Sequence, residues 1–511
     1  MKEKIYKYRI ELILSLFVFL SFGYFYNGMH YNQISRYDAI FSFVEPGTPD
    51  SGTFQIDRFL NIPQANETFK IDFNTVDWSH NKKNNAHYYS NKAPGPILFG
   101  VPLYYVLYHV ESSLGIDPQY PDFTVINCYL INLFITILPV AISVAFFYRL
   151  LLKRCENDRL WAILLTLSLY FGTLIFPYSS QFWTRTAAAA FIIIALFFLT
   201  KETAKAYVIC GLMLGLGVLW DYPVALCVFG VGIVLMWQRK WRPLLQVIIG
   251  GGIPFIIYLW YHKVCFGNFL VMSSIYTNPG HITEGAVHGM FVAGSTVQAI
   301  WGISFSPYRG LFWYMPILVP AILGVLCFRR KNIHYLHVLA LYSIVAFFIM
   351  NISFNGWHGG AAIGPRYQIP ILPFYFILAT LIYPALSSIT RKKLLWVFCP
   401  ILFLSITNML TITMISPLTK WDEPNPLVKY YKIRWQEPEQ IHIYGRNQPL
   451  RKVRTNNPYR SFNLGELIGF PKRFSHYPWF ALCLLTGFLL VKASPEKKED
   501  ELDDEQKDTE P

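Results

Sequence analysis

Long apolar segments constrain this chain more than any other feature of its sequence. About a dozen of them approach the ~20 residues that an α-helix needs to cross a bilayer. They lie at 11–28, 122–148, 160–177, 183–200, 206–220, 222–237, 243–262, 311–328, 335–352, 367–387, 394–415 and 477–492. The pattern predicts an all-α polytopic membrane protein with about 12 transmembrane helices.

Short basic loops occur at every second gap between these segments. They lie at 149–159, 201–205, 239–242, 329–331 and 391–393. Because basic loops of membrane proteins face the cytoplasm, we predict that both chain ends are cytoplasmic and that the alternate loops lie outside. Segment 95–115 is also apolar, but a crossing there would invert every later loop, so we predict a juxtamembrane helix in the outer interface.

The composition leaves no room for a soluble catalytic domain of ordinary size. The chain is 53% hydrophobic and 15% charged, which is typical of an integral membrane protein. We therefore divide it into a transmembrane region 1–415 with a first external loop 29–121, an external loop region 416–476, a last transmembrane helix 477–493 and a disordered acidic cytoplasmic tail 494–511. Much of the net charge of +13 lies in short cytoplasmic loops, so we predict no nucleic-acid partner.

The first external loop places carboxylates beside aromatic and basic residues. Asp38, Asp57 and Asp77 are the candidate bases, and Arg58 follows Asp57 directly. Partial desolvation near a bilayer surface raises the basicity of a carboxylate, which favours general-base chemistry. The alternative is a solvated loop in which these aspartates cap helices or form ion pairs.

Three cations from distant parts of the chain share one predicted membrane depth. Lys92 begins Lys-Ala-Pro-Gly-Pro, where a helix start offers free amides to an anion. Arg309 lies in Ser-Pro-Tyr-Arg-Gly and Arg366 in Gly-Pro-Arg-Tyr, and the planar guanidinium fits phosphate oxygens. Together they predict a phosphate site, although a lysine at that depth also serves as a simple helix anchor.

Further candidates accompany these groups. Asp221 lies where two spans meet and is a candidate by its depth, with a helix cap as the alternative. Tyr308, Trp357 and His358 adjoin the two arginines, while an interfacial aromatic belt also explains the Tyr and Trp. Arg185 is a further anion contact or a headgroup anchor. The histidines are scattered singly, which predicts no metal site but leaves assistance by a divalent cation open.

In motif order, residues 1–390 resemble the GT-C class of polytopic membrane glycosyltransferases. The similarity is to the bacterial branch that contains protein O-mannosyltransferases and lipid A aminoarabinose transferases. It lies in the acidic first external loop, the Lys-Ala-Pro-Gly segment, Ser-Pro-Tyr-Arg-Gly, and Trp-His-Gly-Gly followed by Gly-Pro-Arg-Tyr.

This resemblance implies an enzyme of the bacterial inner membrane. Its donor would be a polyprenyl-phosphate-linked sugar, and its acceptor a hydroxyl of a glycan, lipid or protein on the extracytoplasmic face. The resemblance places Lys92 against the carrier phosphate and makes an external-loop aspartate the base. The carboxylate pair that many relatives carry would fall near Asn32-Gln33, so the role moves to Asp57, Asp38 or Asp77, with Asp57 favoured.

Two other classes of protein remain open from the sequence. A transporter or flippase for a lipid-linked sugar would use the same cations, but would need a membrane path of broken helices or matching intramembrane charges. A scaffold for an envelope assembly complex would not require the external arginines.

Overall fold

The computed structural model describes residues 8–60, 73–80, 87–281, 291, 297–326, 333–433, 462–470 and 472–493. The helices in chain order are α1 Arg9–Gly23, α2 Tyr31–Val44, α3 Gly95–Ser113, α4 Pro121–Asn132, α5 Leu138–Arg154, α6 Arg159–Phe171, α7 Ile175–Ser179, α8 Thr184–Leu199, α9 Ala204–Trp220, α10 Ala225–Trp237, α11 Trp241–Phe266, α12 Val297–Ser304, α13 Leu311–Tyr314, α14 Val319–Leu326, α15 Tyr335–Ile352, α16 Leu372–Ala379, α17 Ser388–Ile415, α18 Pro426–Ile433, α19 Leu464–Leu467 and α20 Tyr477–Ala493. The predicted tail 494–511 and residues 434–461 and 471 of the predicted loop region 416–476 lie outside the described residues.

Five helices within the described ranges are long and apolar enough to cross a membrane. They are Asp122–Arg154, Trp241–Phe266, Tyr335–Ile352, Ile389–Ile415 and Phe474–Ala493. Five shorter apolar helices accompany them, at Arg159–Phe171, Thr184–Leu199, Ala204–Trp220, Tyr222–Trp237 and Pro316–Leu326. The predicted helical membrane protein is therefore supported, but the count of about 12 spans is not confirmed.

Proline shortens several of the apolar segments. The segment 311–328 contains Pro316, and α13 ends at Tyr314 before a 3₁₀ turn leads into α14. The segment 367–387 starts as the 3₁₀ helix Arg366–Ile371, which contains Pro370, and then becomes the short α16. Since proline lacks an amide hydrogen and clashes with the preceding turn, an apolar segment of spanning length need not form one continuous helix.

A small hairpin lies between α2 and α3. Strand β2, Trp78–His80, pairs antiparallel with β3, Tyr88–Ser90, in the register Trp78↔Ser90. The other two strands, β1 Phe25–Tyr26 and β4 Phe462–Asn463, pair antiparallel with each other. Antiparallel pairing brings the residue before the first strand to the residues after the second. Asp77 and Lys92 therefore lie at the same end of the hairpin.

Helices α9 and α11 pack in backbone contact. A Cβ added at Gly211 would lie 1.9 Å from the carbonyl oxygen of Val247, and one added at Gly250 would lie 1.9 Å from that of Val208. Glycine at these two positions lets the helix axes approach closely. The contact fixes the course of the two helices, whose far ends carry Asp221 and Phe266.

Ion pairs join the basic loops 201–205 with 239–242 and 149–159 with 391–393 at the ends of the helices. Lys240 Nζ lies 2.8 Å from Glu202 Oε1, and an Arg391 guanidinium nitrogen lies 3.2 Å from Glu156 Oε2. Helix α8 ends beside Lys201 at this end and begins with Arg185 at the other, roughly 24 Å away at 1.5 Å per residue. Arg185 and the basic loops are thus separated by the length of a helix.

Candidate functional site

A cavity of about 590 Å³ opens at the end of the helices that carries Arg185. Its walls come from the start of α2, the end of the β2–β3 hairpin, the start of α8, residues 274–281 and the loop 354–367. The ionisable side chains that line it are His30, Asp77, Lys92, Arg185, His281, His358 and Arg366. The cavity therefore gathers groups from most of the chain's length.

An ion pair between Asp77 and Lys92 lies on one wall. Lys92 Nζ is 3.0 Å from Asp77 Oδ1, and His281 Nε2 is 3.5 Å from the same oxygen. Residues 76–80 are also held from the other side, because the amide of Asn278 donates to the carbonyl of Trp78. The hairpin thus fixes both the carboxylate and the ammonium.

The pKa values in this pair follow from burial and neighbouring charge. Burial raises the pKa of Asp77, but Lys92, His281 and His30 together outweigh it and hold the pKa below its ordinary value. Burial lowers the pKa of Lys92 to about 8, opposed by Asp77 and assisted by Arg36 and Arg366. At neutral pH Asp77 is an ionised acceptor, and Lys92 is charged but close to its titration range.

Two arginines of the cavity lining share a pair of aromatic rings. The Arg366 guanidinium carbon lies 4.7 Å from the ring centre of Trp183, and that of Arg185 lies 4.6 Å from the ring centre of Tyr367. Stacking orients a guanidinium by its face and leaves its N–H edge available. The Nε atoms of both arginines are buried and have no hydrogen-bond partner among the described residues.

The loop around Arg366 requires glycine. Gly359 has φ +79° and Gly360 φ +65°, in the left-handed region that glycine adopts without steric cost. A Cβ added at Gly359 would also lie 3.0 Å from Arg366 Nε. The Gly-Gly pair therefore allows the loop to fold against the arginine side chain.

Arg36 and Asp221 complete the charge distribution behind the cavity. Arg36 is 4% exposed, and one terminal nitrogen donates to both the carbonyl and the side-chain oxygen of Asn32 at 2.7 Å, while its Nε has no partner among the described residues. Asp221 Oδ2 lies 3.4 Å from Arg185 Nε. Burial raises the pKa of Asp221, although Arg185, Arg36 and Arg366 oppose the shift.

Four cations and two carboxylates therefore surround the cavity. Arg36, Lys92, Arg185 and Arg366 outnumber Asp77 and Asp221, so the formal charge of these six side chains is +2. Burial lowers the pKa of His30 and of His358 to about 4, so these two are neutral at pH 7. A buried net positive charge with unused donors is an environment for an anion.

Arg309 lies behind the cavity wall and is fully buried. Its Nε donates to the carbonyl of His358 at 2.9 Å, and its terminal nitrogens donate to the carbonyls of Tyr308 at 2.8 Å and Gly360 at 3.1 Å. The structure thus brings Lys92 and Arg366 to one cavity, while Arg309 contacts the loop that carries Arg366. Its predicted role in phosphate binding stays a prediction.

These contacts predict a structural effect of Arg309. Arg309→Ala would remove three hydrogen bonds and leave the carbonyl of His358 without its donor, while those of Tyr308 and Gly360 keep the hydroxyl of Tyr314 and the amide of Ala362. We therefore expect a loss of stability of about 2–3 kcal/mol. Arg366→Ala is the matched control, because within the described residues Arg366 donates to no carbonyl and its terminal nitrogen lies 3.5 Å from Tyr367 Oη. Thermal unfolding of both purified variants would measure this, and equal melting temperatures would contradict it.

The candidate bases occupy three different environments. Asp57 lies outside the cavity lining, accepts a hydrogen bond from the amide of Tyr88 at 3.3 Å and lies 3.5 Å from His87 Nδ1. Burial raises its pKa. Asp38 is fully buried on α2 and does not line the cavity either. Of the three, Asp77 lines the cavity, and the catalytic role of Asp57 stays a prediction.

Of the remaining candidates Arg58, Tyr308, Trp357 and His358, His358 lines the cavity. Arg58 is turned into a buried cluster, 2.7 Å from Glu45 Oε2 and 3.1 Å from Asp50 Oδ1. His358 lines the cavity and accepts a hydrogen bond at Nδ1 from the amide of Gly360. The other two aromatic candidates, Tyr308 and Trp357, contact each other at 6.1 Å between ring centres.

Several residues of the site have no clear signal in the sequence. Arg36 is part of a polar stretch and looks solvated there, while Trp183 and Tyr367 resemble members of an aromatic belt. The signal for these two aromatic residues is a nearby arginine. Trp183 lies two residues before Arg185, and Tyr367 directly follows Arg366. Within the described ranges, no group of three or more His, Cys, Asp or Glu side chains is placed to hold a metal ion.

Comparison with protein-family models and with curated protein sequences finds no match. Among solved structures, the chain is similar to ArnT from Cupriavidus metallidurans bound to undecaprenyl phosphate, with 13% identity, a TM-score of 0.41, and coverage of 76% of this chain and 62% of that chain. It is also similar to ArnT in the apo state, with 13% identity, a TM-score of 0.43, and coverage of 85% and 69%. The chain thus spans 62% of the length of the first ArnT structure.

Proposed function

We propose that this chain is a membrane glycosyltransferase that moves a sugar from a polyprenyl-phosphate carrier to an acceptor hydroxyl. The main support is the cavity in which Lys92, Arg185 and Arg366 face the ionised Asp77. The motif resemblance to GT-C enzymes supplies the class of donor. The cavity offers positive charge for the leaving phosphate and a carboxylate for the proton of the acceptor hydroxyl.

The cations suit the leaving group. A sugar linked to a lipid phosphate is a phosphodiester with one negative charge, and the leaving phosphate gains a second charge as the glycosidic bond breaks. Preorganised cations stabilise charge that develops in the transition state, and such a leaving group needs no general acid. The net +2 of the cavity matches the charge of the departing phosphate.

Asp77 is the proposed base. Its carboxylate accepts the proton of the acceptor hydroxyl while the oxygen attacks the anomeric carbon, and Lys92 at 3.0 Å keeps the carboxylate in place. One carboxylate suffices for direct displacement with inversion, whereas glycoside hydrolysis commonly employs two. The sequence-based choice of Asp57 would require a carboxylate that lies outside the cavity lining.

The position of the basic loops supports an extracytoplasmic reaction. Lys240 and Arg391 lie at the helix ends opposite the cavity. If these loops face the cytoplasm by the positive-inside rule, the cavity opens on the other side, at the surface of a bacterial inner membrane. A carrier lipid in that leaflet would present its phosphate at the depth of Lys92.

Sugar transfer by the purified protein tests the proposal. The full chain in proteoliposomes would receive a polyprenyl-phosphate donor with a labelled sugar and an extract of envelope glycans, lipids and proteins as acceptors. We expect labelled acceptor and free lipid phosphate in equal amounts. Movement of the donor between leaflets with its sugar–phosphate bond intact would instead identify a flippase.

The pKa of Lys92 predicts how donor binding depends on pH. The charged ammonium binds the phosphodiester, so affinity should be full well below pH 8 and fall as pH rises through about 8, approaching tenfold per pH unit above it. The phosphodiester itself does not titrate there. Lys92→Arg keeps its charge and should show no such fall, which a binding titration between pH 6 and 10 would measure. The same fall in both proteins would contradict the assignment.

A further inference from the structure

Gln181 lies in the turn between α7 and α8, and its side chain is completely buried. The side-chain oxygen accepts the indole N–H of Trp183 at 2.6 Å and the side-chain amide of Gln33 at 3.3 Å. The side-chain nitrogen donates to the carbonyl of Asn27 at 3.1 Å. Both polar atoms of the Gln181 side chain therefore have partners inside the protein.

The chemistry of these partners determines which way the Gln181 amide points. An indole N–H can only donate and a carbonyl oxygen can only accept, so the oxygen must face Trp183 and the nitrogen must face Asn27. The reversed amide would place two donors together and two acceptors together. Glutamine at this position is thus matched to both neighbours at once.

The partners of Gln181 are themselves held in place. The Asn27 side chain donates to the hydroxyl of Ser180 at 2.6 Å and to the carbonyl of Thr413 at 3.0 Å. The Gln33 side-chain oxygen accepts the backbone amide of His30 at 3.1 Å. These hydrogen bonds join the start of α2, the α7–α8 turn and the last turn of α17.

The ring that Gln181 holds forms a wall beside Arg366. Trp183 is 1% exposed, and the Arg366 guanidinium carbon lies 4.7 Å from its ring centre. Tyr178 meets the same ring edge to face at 5.4 Å. The indole cannot rotate without breaking a buried hydrogen bond, which fixes the plane of the ring.

The direction of the Arg366 side chain depends on this plane. Within the part of the chain that the structure describes, its guanidinium makes one hydrogen bond, at 3.5 Å to Tyr367 Oη. Arg309, by contrast, donates to three carbonyls. The N–H groups of Arg366 are therefore oriented mainly by the ring faces of Trp183 and Tyr367, whose centres lie 4.7 and 5.2 Å away.

We propose that Gln181 is a positioning residue for anion binding, because it fixes the indole of Trp183 and the indole directs the guanidinium of Arg366 into the cavity. Gln181 is not among the described residues that line the cavity, so it acts through the ring. The identity of the anion as a lipid phosphate rests on the proposed function. The hydrogen bonds from Asn27 to Trp183 do not.

Removing the acceptor should weaken binding of a phosphate. Gln181→Met keeps the length of the side chain but cannot bind the indole N–H, and farnesyl phosphate is the probe because its phosphate is a monoester like the proposed leaving group. A hydrogen bond to a charged group typically changes a binding constant by about 10- to 100-fold, and a misdirected guanidinium should lose the lower part of that range. We therefore expect about tenfold weaker binding to the purified full chain.

A double-variant cycle separates positioning from a general loss of structure. If Gln181 acts through Arg366, Gln181→Met should change the affinity by less than about twofold in a protein that already carries Arg366→Gln. The same about tenfold loss in both backgrounds would show that Gln181 only supports the fold, and would overturn the proposal.

The same hydrogen bond can be removed from its other side. Substitution of Trp183 by benzothienylalanine keeps the size and face of the ring, replaces the N–H by sulfur, and leaves the bonds of Gln181 to Asn27 and Gln33 in place. It is the variant to use if Gln181→Met does not fold. We again expect about tenfold weaker binding of farnesyl phosphate, and an unchanged affinity would overturn the proposal.

Asn132→Leu is the matched control for loss of a buried amide. Asn132 is completely buried and donates to the carbonyl of Ser179 at 3.0 Å, two residues before Gln181. Within the described residues, its side chain makes that hydrogen bond and no other. Asn132→Leu should lower the melting temperature but leave the affinity unchanged, and equal weakening by Asn132→Leu and Gln181→Met would overturn the proposal.

The indole N–H resonance of Trp183 gives a readout that needs no ligand. Its NMR signal, assigned by its absence in the benzothienylalanine protein, should move upfield in Gln181→Met and keep its position in Arg366→Gln. A signal that Gln181→Met leaves in place would overturn the proposal. Since neither measurement involves sugar transfer, a chain that shows the expected pattern but transfers no sugar would overturn the proposed function alone.

Discussion

Replacing Asp77 by Asn is expected to lower sugar transfer by about 10²–10⁴-fold, the usual contribution of a general base. Asparagine keeps the size of the side chain and an oxygen toward Lys92, but it cannot accept the proton of the acceptor hydroxyl. The donor is held by its phosphate and lipid, so its dissociation constant should change by a few-fold at most. Single-turnover transfer and equilibrium donor binding, both at pH 6.5 where Lys92 is charged, would separate the two effects.

Asp57→Asn is the matched control for this prediction. Asp57 belongs to the same external segment, but it contacts Tyr88 and His87 and does not line the cavity. Its loss should therefore leave transfer near the wild-type rate. If Asp57→Asn abolishes transfer while Asp77→Asn retains it, the base is the residue that the sequence favours and the cavity geometry has been misinterpreted.

The sequence leaves the choice among the aspartates open for a physical reason. Asp77 becomes part of the cavity because Trp78–His80 pairs with Tyr88–Ser90 and brings it to Lys92. Strands of three residues are too short to produce a recognisable alternation of polar and apolar residues. The pairing is a tertiary feature, and without it the local pattern favours Asp57 over Asp77.

The cations were partly predictable. Local motifs indicate Lys92 and Arg366, because Pro and Gly beside a cation mark a loop at a helix end. Membrane depth alone does not say which way a side chain points, so the sequence groups Arg309 with them although its donors bind three carbonyls. The sequence does not indicate Arg36 as a site cation, since its burial depends on packing that no local pattern reveals.

The fold, like the set of cations, was predictable only in part from the sequence. Apolar segments predicted a helical membrane protein, and the structure has five helices of spanning length and composition within its described residues. The exact number of spans could not be predicted, because Pro316 and Pro370 interrupt segments that hydropathy treats as continuous. Hydropathy measures composition over a window, whereas helix length depends on individual residues.

The paired guanidinium groups predict a second large effect. Arg366→Gln should lower the rate of transfer by about 10²–10³-fold, the range found when one preorganised donor to a developing negative charge is removed. The reason is that Arg366 lines the cavity and is oriented by stacking on Trp183, which places its guanidinium beside the departing phosphate. Donor affinity should fall less than the rate, because the phosphodiester carries less charge in the ground state than in the transition state.

Arg185 provides the test of whether the two arginines act together. Arg185 and Arg366 both stack on Tyr367, at 4.6 and 5.2 Å, so the double variant should lose less than the product of the single losses. Arg391→Gln, at the opposite end of the helices, is the control for loss of a positive charge and should leave the rate unchanged. If Arg366→Gln weakens donor binding and lowers kcat/KM equally while kcat is preserved, Arg366 binds the ground state and transition state alike, and the proposed stabilisation of the leaving phosphate is wrong.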